Sequence, residues 1–299
     1  VFCMAFRLFP ALKGHSLAAG DGKTCHHFYA YDRSTSSVAV PRLYGRFELR
    51  PSGLAKVRIR REEDWLEAIN ECIQNMAENR SGLLFYIHGF QADNTWFVRK
   101  SGQVIQSQIL DDADHRYGLA VSLQWSSPLV YSKAVLTALA KGERFATLAA
   151  RVTDMLKARF PDAPVSVLCH SMGNRVWQGM YESWTSMDPD LKLDKVFMFA
   201  ADLEADILSY GFPGLDARAD KVLIYHHLED RTLIMARTFA PPFRLGQVGP
   251  SFPELLPDNF IFRDVTGLDD DQSFAGKVTF HRYYYGSPSV RREIVRYLS

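Results

Sequence analysis

The sequence lacks the features of a disulfide-rich, zinc-binding or membrane-spanning protein. Its 4 cysteines among 299 residues are scattered and show no Cys-x-x-Cys spacing, so the sequence predicts neither a disulfide framework nor a zinc site. It also contains no run of about 18 apolar residues, which excludes a membrane-spanning helix on length.

Net charge is nearly absent as well. The 35 lysines and arginines almost balance the 34 aspartates and glutamates, so the overall charge gives no reason to expect nucleic acid or an anionic membrane as a partner. Hydrophobic residues make up 47% of the chain, which is enough for a sizeable core in a soluble protein. The length fits one large α/β domain or two smaller ones.

The N-terminus lacks a clear targeting signal. Residues 1–20 are mildly apolar, but Pro10 and several charged side chains interrupt them, and no small-residue cleavage site follows an apolar stretch. We therefore expect a cytoplasmic protein, with an exported form left open. Residues 1–27 are expected to be a loose segment, and residues 28–299 to form a single domain.

The next part of the chain contains strand and helix patterns. Residues 43–50 and 55–60 alternate between polar and apolar side chains, as antiparallel edge strands do, after a first stretch of forty residues that we expect to be loose. Residues 62–79 place apolar side chains on one face of a helix, with acidic residues in its first turn.

Short apolar runs then alternate with helical patterns, which predicts a mostly parallel, doubly wound sheet with helices on both faces. A helix is predicted at residues 144–160, ending before Pro161. Sheets of this kind carry their chemistry at the carboxyl ends of the strands. The predicted buried strands lie at residues 83–87, 119–123, 165–169, 196–200, 222–226 and 260–262.

Ser171 follows one of these strands in the stretch LCHSMGNRV, residues 168–176. A nucleophile elbow places a serine on a sharp strand-to-helix turn and needs small residues two positions to either side. Gly173 meets this requirement downstream, and Cys169 is small enough to be tolerated in place of the upstream glycine. The sequence therefore predicts Ser171 as a nucleophile, against the alternative of a buried serine at a strand–helix junction.

Other strand ends supply candidates for the remaining catalytic groups. Gly89 allows a sharp turn, so the next amide, that of Phe90 or Gln91, can point into a site. His281 lies in a late loop, in the order of serine, acid and histidine that α/β-hydrolases use. Several acids could orient this histidine, and the residues alone leave the choice open among Asp202, Glu204, Asp206, Glu229 and Asp230.

The chain resembles an uncharacterised family of esterase/lipase-like α/β-hydrolases, long catalogued as a domain of unknown function. The resemblance runs from about Phe28 to the end. It rests on motifs in order along the chain: FYAYDR (28–33), LLFYIHGF (83–90), QWSS (124–127), HSMGNRV (170–176), ADLEAD (201–206), RLGQ (244–247) and HRYY (281–284). It implies an α/β-hydrolase fold and an esterase-like activity.

The resemblance also implies roles for particular residues. Ser171 would be the nucleophile, Asp230 the acid and His281 the base, with the amides of Phe90 and Met172 as oxyanion donors. Glu229 and Asp202 remain the alternative acids.

We interpret the sequence as a carboxylesterase that acts through an acyl-enzyme, with no cofactor and no metal. An amidase, a thioesterase or an acyltransferase on the same triad is the alternative, as is a catalytically silent binding protein. The connection after residue 200 is short, so no large cap domain is expected. We expect short or medium acyl or aromatic esters as substrates, with pocket residues drawn from strand ends and from segments 128–142 and 240–257. The predicted pocket residues are His88, Gly89, Gln91, Trp125, Tyr131 and His170. The oligomeric state is not predicted.

Overall fold

The architecture is organised by a nine-stranded sheet. A computed structural model describes residues 26–34, 42–50, 53–90, 105–110, 116–239, 243–272 and 274–299. The strands are β1 (His26–Asp32), β2 (Leu43–Arg50), β3 (Gly53–Ile59), β4 (Gly82–Ile87), β5 (Tyr117–Trp125), β6 (Val165–His170), β7 (Leu193–Phe199), β8 (Ala219–His226) and β9 (Phe260–Asp264). Their order is β3-β2-β1-β5-β4-β6-β7-β8-β9. Strand β2 pairs antiparallel with β1 and β3, and the other pairs are parallel. The predicted mostly parallel sheet is confirmed.

Helices cover both faces of this sheet. They are α1 (Glu62–Gln74), α2 (Tyr131–Arg159), α3 (Gly173–Met187), α4 (Leu215–Arg218), α5 (Arg231–Phe239), α6 (Leu245–Val248), α7 (Phe274–Thr279), α8 (Tyr283–Gly286) and α9 (Pro288–Leu298). Helices α1, α2 and α3 pack on one face, while α8, α9 and a π-helical turn at Ile105–Leu110 pack on the other. Among the described residues, no helix combines the length and the apolar character that crossing a membrane requires.

The continuous apolar runs follow from this two-sided burial. In β4, Leu83, Phe85 and Ile87 face the core beneath α1 to α3. Leu84 and Tyr86 face the opposite core. Because successive side chains point to opposite faces of a strand, a strand covered on both faces has no polar positions to alternate with.

Strand β1 corrects the expectation that the first forty residues are loose. It begins at His26 and pairs parallel with β5, about ninety residues later in the chain. The predicted segment 1–27 therefore overlaps β1 by two residues, and residues 1–25 lie outside the described part. No continuous apolar run marks β1, because its buried polar side chains, such as His27 and Asp32, have their partners Ser122 and Lys141 far along the chain. The proposal that residues 28–299 form a single domain stays a prediction.

Helix α2 corrects a second expectation. It begins at Tyr131, whereas the sequence predicts a helix that begins only at residue 144, and the expectation that residues 128–142 line a pocket stays a prediction. The buried face of its first half is formed by Ala134, Ala138 and Lys141, which make no apolar stripe. Lys141 is buried because its ammonium group donates to Asp32 at the end of β1, at 2.5 Å.

The connection between β7 and β8 contains no inserted cap. Residues 200–218 hold only a 3-10 turn (Ile207–Ser209) and the four-residue helix α4 before β8 starts. The carboxyl ends of the central strands are therefore not covered from this connection.

A buried histidine on β1 should make the fold sensitive to acid. Burial, and then the charge of Lys56, lower the pKa of His27 to about 3. The unfolded chain, with an ordinary histidine pKa near 6.5, takes up a proton between these values while the folded chain does not. Stability is therefore expected to fall as the pH decreases from 6.5 towards 3, by up to about 1.4 kcal/mol per pH unit from this group.

Urea unfolding of the wild type and of His27→Gln at pH 7, 6 and 5 checks this expectation. The variant should show a shallower loss of unfolding free energy with acid. The slope that remains belongs to other groups, including His170, whose pKa burial also lowers. Equal slopes for the two proteins would show that His27 carries no such linkage.

Candidate active site

Ser171 lies on a sharp turn between β6 and α3. Its φ is 54°, in the left-handed region that side chains other than glycine rarely adopt. Backbone hydrogen bonds hold it there: its N–H donates to the Phe199 carbonyl at 2.9 Å, and its own carbonyl accepts from the Asp202 amide at 3.2 Å and the Asn174 amide at 3.1 Å. This strained strand–turn–helix geometry is that of a nucleophile elbow.

Two glycines make the close approach at this turn possible. A Cβ on Gly173 would lie 2.5 Å from the Ile87 carbonyl oxygen, closer than van der Waals contact allows. A Cβ on Gly89 would lie 2.7 Å from the Ser171 Cβ. The loop after β4 therefore runs directly beside the serine. Cys169, in the position of the upstream glycine, is fully buried within β6.

His281 and Asp230 form a buried hydrogen-bonded pair. The distance between His281 Nδ1 and Asp230 Oδ2 is 2.7 Å. Because a carboxylate only accepts, Nδ1 carries the proton and Nε2 presents its lone pair. The other Asp230 oxygen accepts from the Leu233 amide at 2.9 Å, in the first turn of α5. Asp230 is fully buried, and 6% of His281 is exposed.

The alternative acids have other surroundings. Asp202 accepts from the Tyr131 hydroxyl at 2.7 and 2.8 Å and lies 3.1 Å from Nε of Arg244. Burial raises its pKa against the opposing charges of Arg175 and Arg244. Glu229 is exposed. The geometry therefore favours Asp230 as the carboxylate partner of His281.

His170 connects the loop that carries His281 to the elbow at Ser171. Its Nε2–H donates to the His281 carbonyl at 2.8 Å, and the two rings lie 4.7 Å apart. Burial, and next the proximity of His281, hold the pKa of His170 well below its usual value. A neutral ring therefore packs beside His281, and it adds no repulsion when the neighbouring imidazole takes up a proton.

Two tyrosines that the residue-by-residue reasoning did not single out fix the loop that carries His281. The Tyr283 hydroxyl accepts from the Ala200 amide and donates to the Tyr225 carbonyl, both at 2.8 Å. The hydroxyls of Tyr284 and Tyr86 lie 2.8 Å apart. Strands β4 and β8, and Ala200 directly after β7, thus hold the segment after His281. The HRYY motif, residues 281–284, is the sequence feature from which the role of these tyrosines could have been inferred.

A buried ionic cluster beside the elbow was also missed as a unit. Arg175 and Arg244 both contact Glu204, with nitrogen–oxygen distances of 2.8 and 3.0 Å, and Arg244 also contacts Asp202. Burial raises the pKa of Glu204, but the hydrogen bond and charge of Arg175 outweigh it and lower the pKa overall. The ADLEAD and RLGQ motifs supply these residues. Their ion pairs tie the start of α3 to the segments after β7 and before α6.

The proposed oxyanion donors lie next to the serine in the chain or in space. Met172 is the first residue before α3, and Phe90 follows Gly89. Within the described residues, neither amide donates to a protein acceptor. The N-terminus of α3 also directs the positive end of its dipole towards this position.

The predicted pocket residues divide into two groups. Trp125 is fully buried, and its indole N–H donates to the His88 carbonyl at 2.9 Å. The His88 ring accepts from the Trp125 amide at 3.1 Å and donates to the Gly89 carbonyl at 2.8 Å. These two side chains have no surface to offer a substrate, so we assign them to support of the loop. Gln91 lies outside the described residues.

Tyr131 remains close to the elbow. Its hydroxyl contacts Asp202, whose amide holds the Ser171 carbonyl, and its ring lies 6.4 Å from the ring of Phe90. Among the described residues, no cluster of three or more histidine, cysteine or acidic side chains could hold a metal ion.

The sheet order and the elbow at the carboxyl end of β6 define the protein as an α/β-hydrolase. The family described as "Alpha/beta hydrolase of unknown function (DUF900)" matches residues 66–297, and the chain belongs to this family. The predicted family resemblance is confirmed, although the match begins after β1–β3 and the FYAYDR motif. A search of curated proteins finds no match. Family membership indicates a hydrolase and leaves its substrate open.

Proposed function

We propose that the protein is a carboxylesterase that uses Ser171, His281 and Asp230. The observation that carries this proposal is the buried 2.7 Å hydrogen bond between His281 and Asp230, in a loop that His170 links to a serine with φ of 54°. A histidine held in this tautomer presents Nε2 as a general base, and a serine at an elbow presents its hydroxyl above the sheet.

In the proposed reaction, the Ser171 oxygen attacks the ester carbonyl while His281 Nε2 takes the serine proton. Asp230 stabilises the imidazolium ion that forms. The amides of Phe90 and Met172 bind the oxyanion. His281 then protonates the leaving alcohol, and a water molecule activated by the same histidine releases the acid. Within the described residues, the Ser171 hydroxyl has no hydrogen bond, so its contact with His281 is part of the proposal.

Two features support small or medium esters. The short connection after β7 inserts no cap of its own over the carboxyl ends of the strands. The rings of Phe90, Tyr131 and Phe239 follow one another at 6.4 and 6.2 Å beside the elbow and offer apolar surface to an acyl or aromatic group. An amidase, a thioesterase or an acyltransferase would use the same residues with a different leaving group or acceptor.

The experiment that tests the proposal is a panel of p-nitrophenyl esters of increasing acyl length, together with labelling by a fluorophosphonate. We expect turnover of the short and medium esters and covalent labelling at Ser171. A folded protein that neither turns over any ester nor reacts with the fluorophosphonate would contradict the proposal and favour the binding protein.

A further inference from the structure

Two segments beside the site expose large apolar side chains where a soluble protein ordinarily presents polar ones. Leu129, just before α2, is 84% exposed, and Phe239, at the end of α5, is 67% exposed. The solvent-facing side of α5 also carries Ile234 and Met235. We call these side chains the apolar rim, which comprises Leu129, Val130, Leu136, Ile234, Met235 and Phe239.

The apolar rim borders the candidate active site. Tyr131 brings its two halves together, because its ring lies 6.2 Å from the Phe239 ring and its hydroxyl contacts Asp202 behind the elbow. Helix α5 starts at Arg231, directly after Asp230. A surface that docks on the rim is therefore held next to Ser171.

The exposed charged side chains within the two rim segments have one sign, and the exposed acids Glu143 and Glu229 lie just outside these segments. Lys133 and Arg231 are exposed, and Arg237 is half-buried with its guanidinium 4.0 Å above the Phe243 ring. Residues 126–142 and 231–239 contain no aspartate or glutamate. The chain as a whole is almost neutral, so this local excess of cations is not a reflection of its overall composition.

We propose that the apolar rim docks on an anionic phospholipid surface and that, if the proposed function holds, the ester is taken from that surface. Apolar side chains flanked by lysine and arginine are the pattern of a segment that lies in a lipid–water interface. Exposed apolar patches of this kind mark interaction sites, and anionic headgroups attract nearby cations. Charge complementarity favours this occupant over a second copy of the chain, which would bring two sets of cations together.

Co-sedimentation with vesicles tests the docking without any reference to catalysis. The wild type should bind vesicles of phosphatidylcholine with phosphatidylglycerol, and bind phosphatidylcholine alone at least tenfold more weakly. Leu129→Ser with Met235→Ser should reduce binding to the anionic vesicles by tenfold or more, because each side chain loses its apolar contact with the lipid. Leu255→Ser is the matched control, since Leu255 is 74% exposed in a 3-10 turn at Pro253–Leu255.

Three outcomes would overturn the docking proposal. They are an absence of wild-type binding, equal binding by the double variant and the wild type, and a wild-type dimer that the double variant converts to a monomer. The last would make the rim a contact between copies of the chain.

A second pair of measurements separates the docking from the proposed function. Ser171→Ala should bind the vesicles like the wild type. The double variant should hydrolyse soluble p-nitrophenyl acetate at the wild-type rate and an ester embedded in anionic vesicles at least tenfold more slowly. Vesicle binding without hydrolysis of any ester would contradict the proposed esterase function and support the docking surface. Hydrolysis of soluble esters without vesicle binding would support the esterase function and contradict the docking surface.

Discussion

Replacement of Ser171 by alanine is expected to lower kcat for p-nitrophenyl ester hydrolysis by about a million-fold, the loss seen when a triad that acts as a unit loses its nucleophile. The variant keeps the oxyanion amides and the His281–Asp230 pair, so substrate binding and the fold should change little. The backbone of position 171 lies in the left-handed region, where alanine and serine carry a similar strain, and no buried hydrogen bond of the hydroxyl is lost among the described residues.

The measurement is the steady-state rate of the wild type and Ser171→Ala on the ester with the highest turnover, with thermal unfolding as a check of the fold. Ser132→Ala, at an exposed serine in the first turn of α2, is the control and should be unchanged. If the folded Ser171→Ala protein kept a tenth of the wild-type rate, the assignment of Ser171 as the nucleophile would be wrong.

Replacement of Asp230 by asparagine is expected to lower kcat by about ten-thousand-fold. An asparagine amide in this position can donate to Nδ1 of His281, which would put the ring proton on Nε2, the atom that must accept from the serine. The asparagine oxygen can still accept from the Leu233 amide, so the first turn of α5 should remain folded.

Glu229→Gln is the matched control for this change, because it neutralises the adjacent, exposed carboxylate. We expect it to stay within about twofold of the wild type, as surface substitutions generally do. Rates of the two variants on one ester decide between the acids. A large loss in Glu229→Gln with little loss in Asp230→Asn would reverse the assignment.

The central strands could be predicted from the sequence because burial on both faces leaves a mark on every residue. The run at residues 83–87 is apolar throughout and lies in the interior of the sheet, and Gly173 could be identified because an elbow leaves no space for a Cβ. These are local requirements of the chain. They can be read without knowing what lies across the fold.

Strand β1 and the first half of α2 could not be predicted in the same way. Each contains a buried charged residue whose partner lies in the other: Asp32 at the end of β1 pairs with Lys141 in α2, 109 residues later in the chain. A lysine in an alanine-rich face looks solvent-exposed in sequence, and only the partner shows that it is buried. Contacts between distant parts of the chain, and not the local sequence pattern, therefore explain why these two elements form.

The choice of acid shows the same limit within the site. Asp202 and Asp230 both follow strands and both are buried, so the residue types do not separate them. What separates them is the partner: Tyr131 and Arg244 for Asp202, and His281 for Asp230. The position of Tyr283, which bridges Ala200 and Tyr225, is likewise a property of three distant segments.

The anchoring of the His281 loop also has a consequence for the order in which the parts of the candidate site come together during synthesis. The elbow at Ser171 belongs to β6 and α3, which can associate with β4 as soon as these segments have left the ribosome. His281 follows 110 residues after the serine, and its loop is held by hydroxyls of Tyr283 and Tyr284 that reach strands made much earlier. Since contacts of such long sequence separation form late in folding, we expect the nascent chain to carry the proposed nucleophile for the whole of that interval without the proposed base.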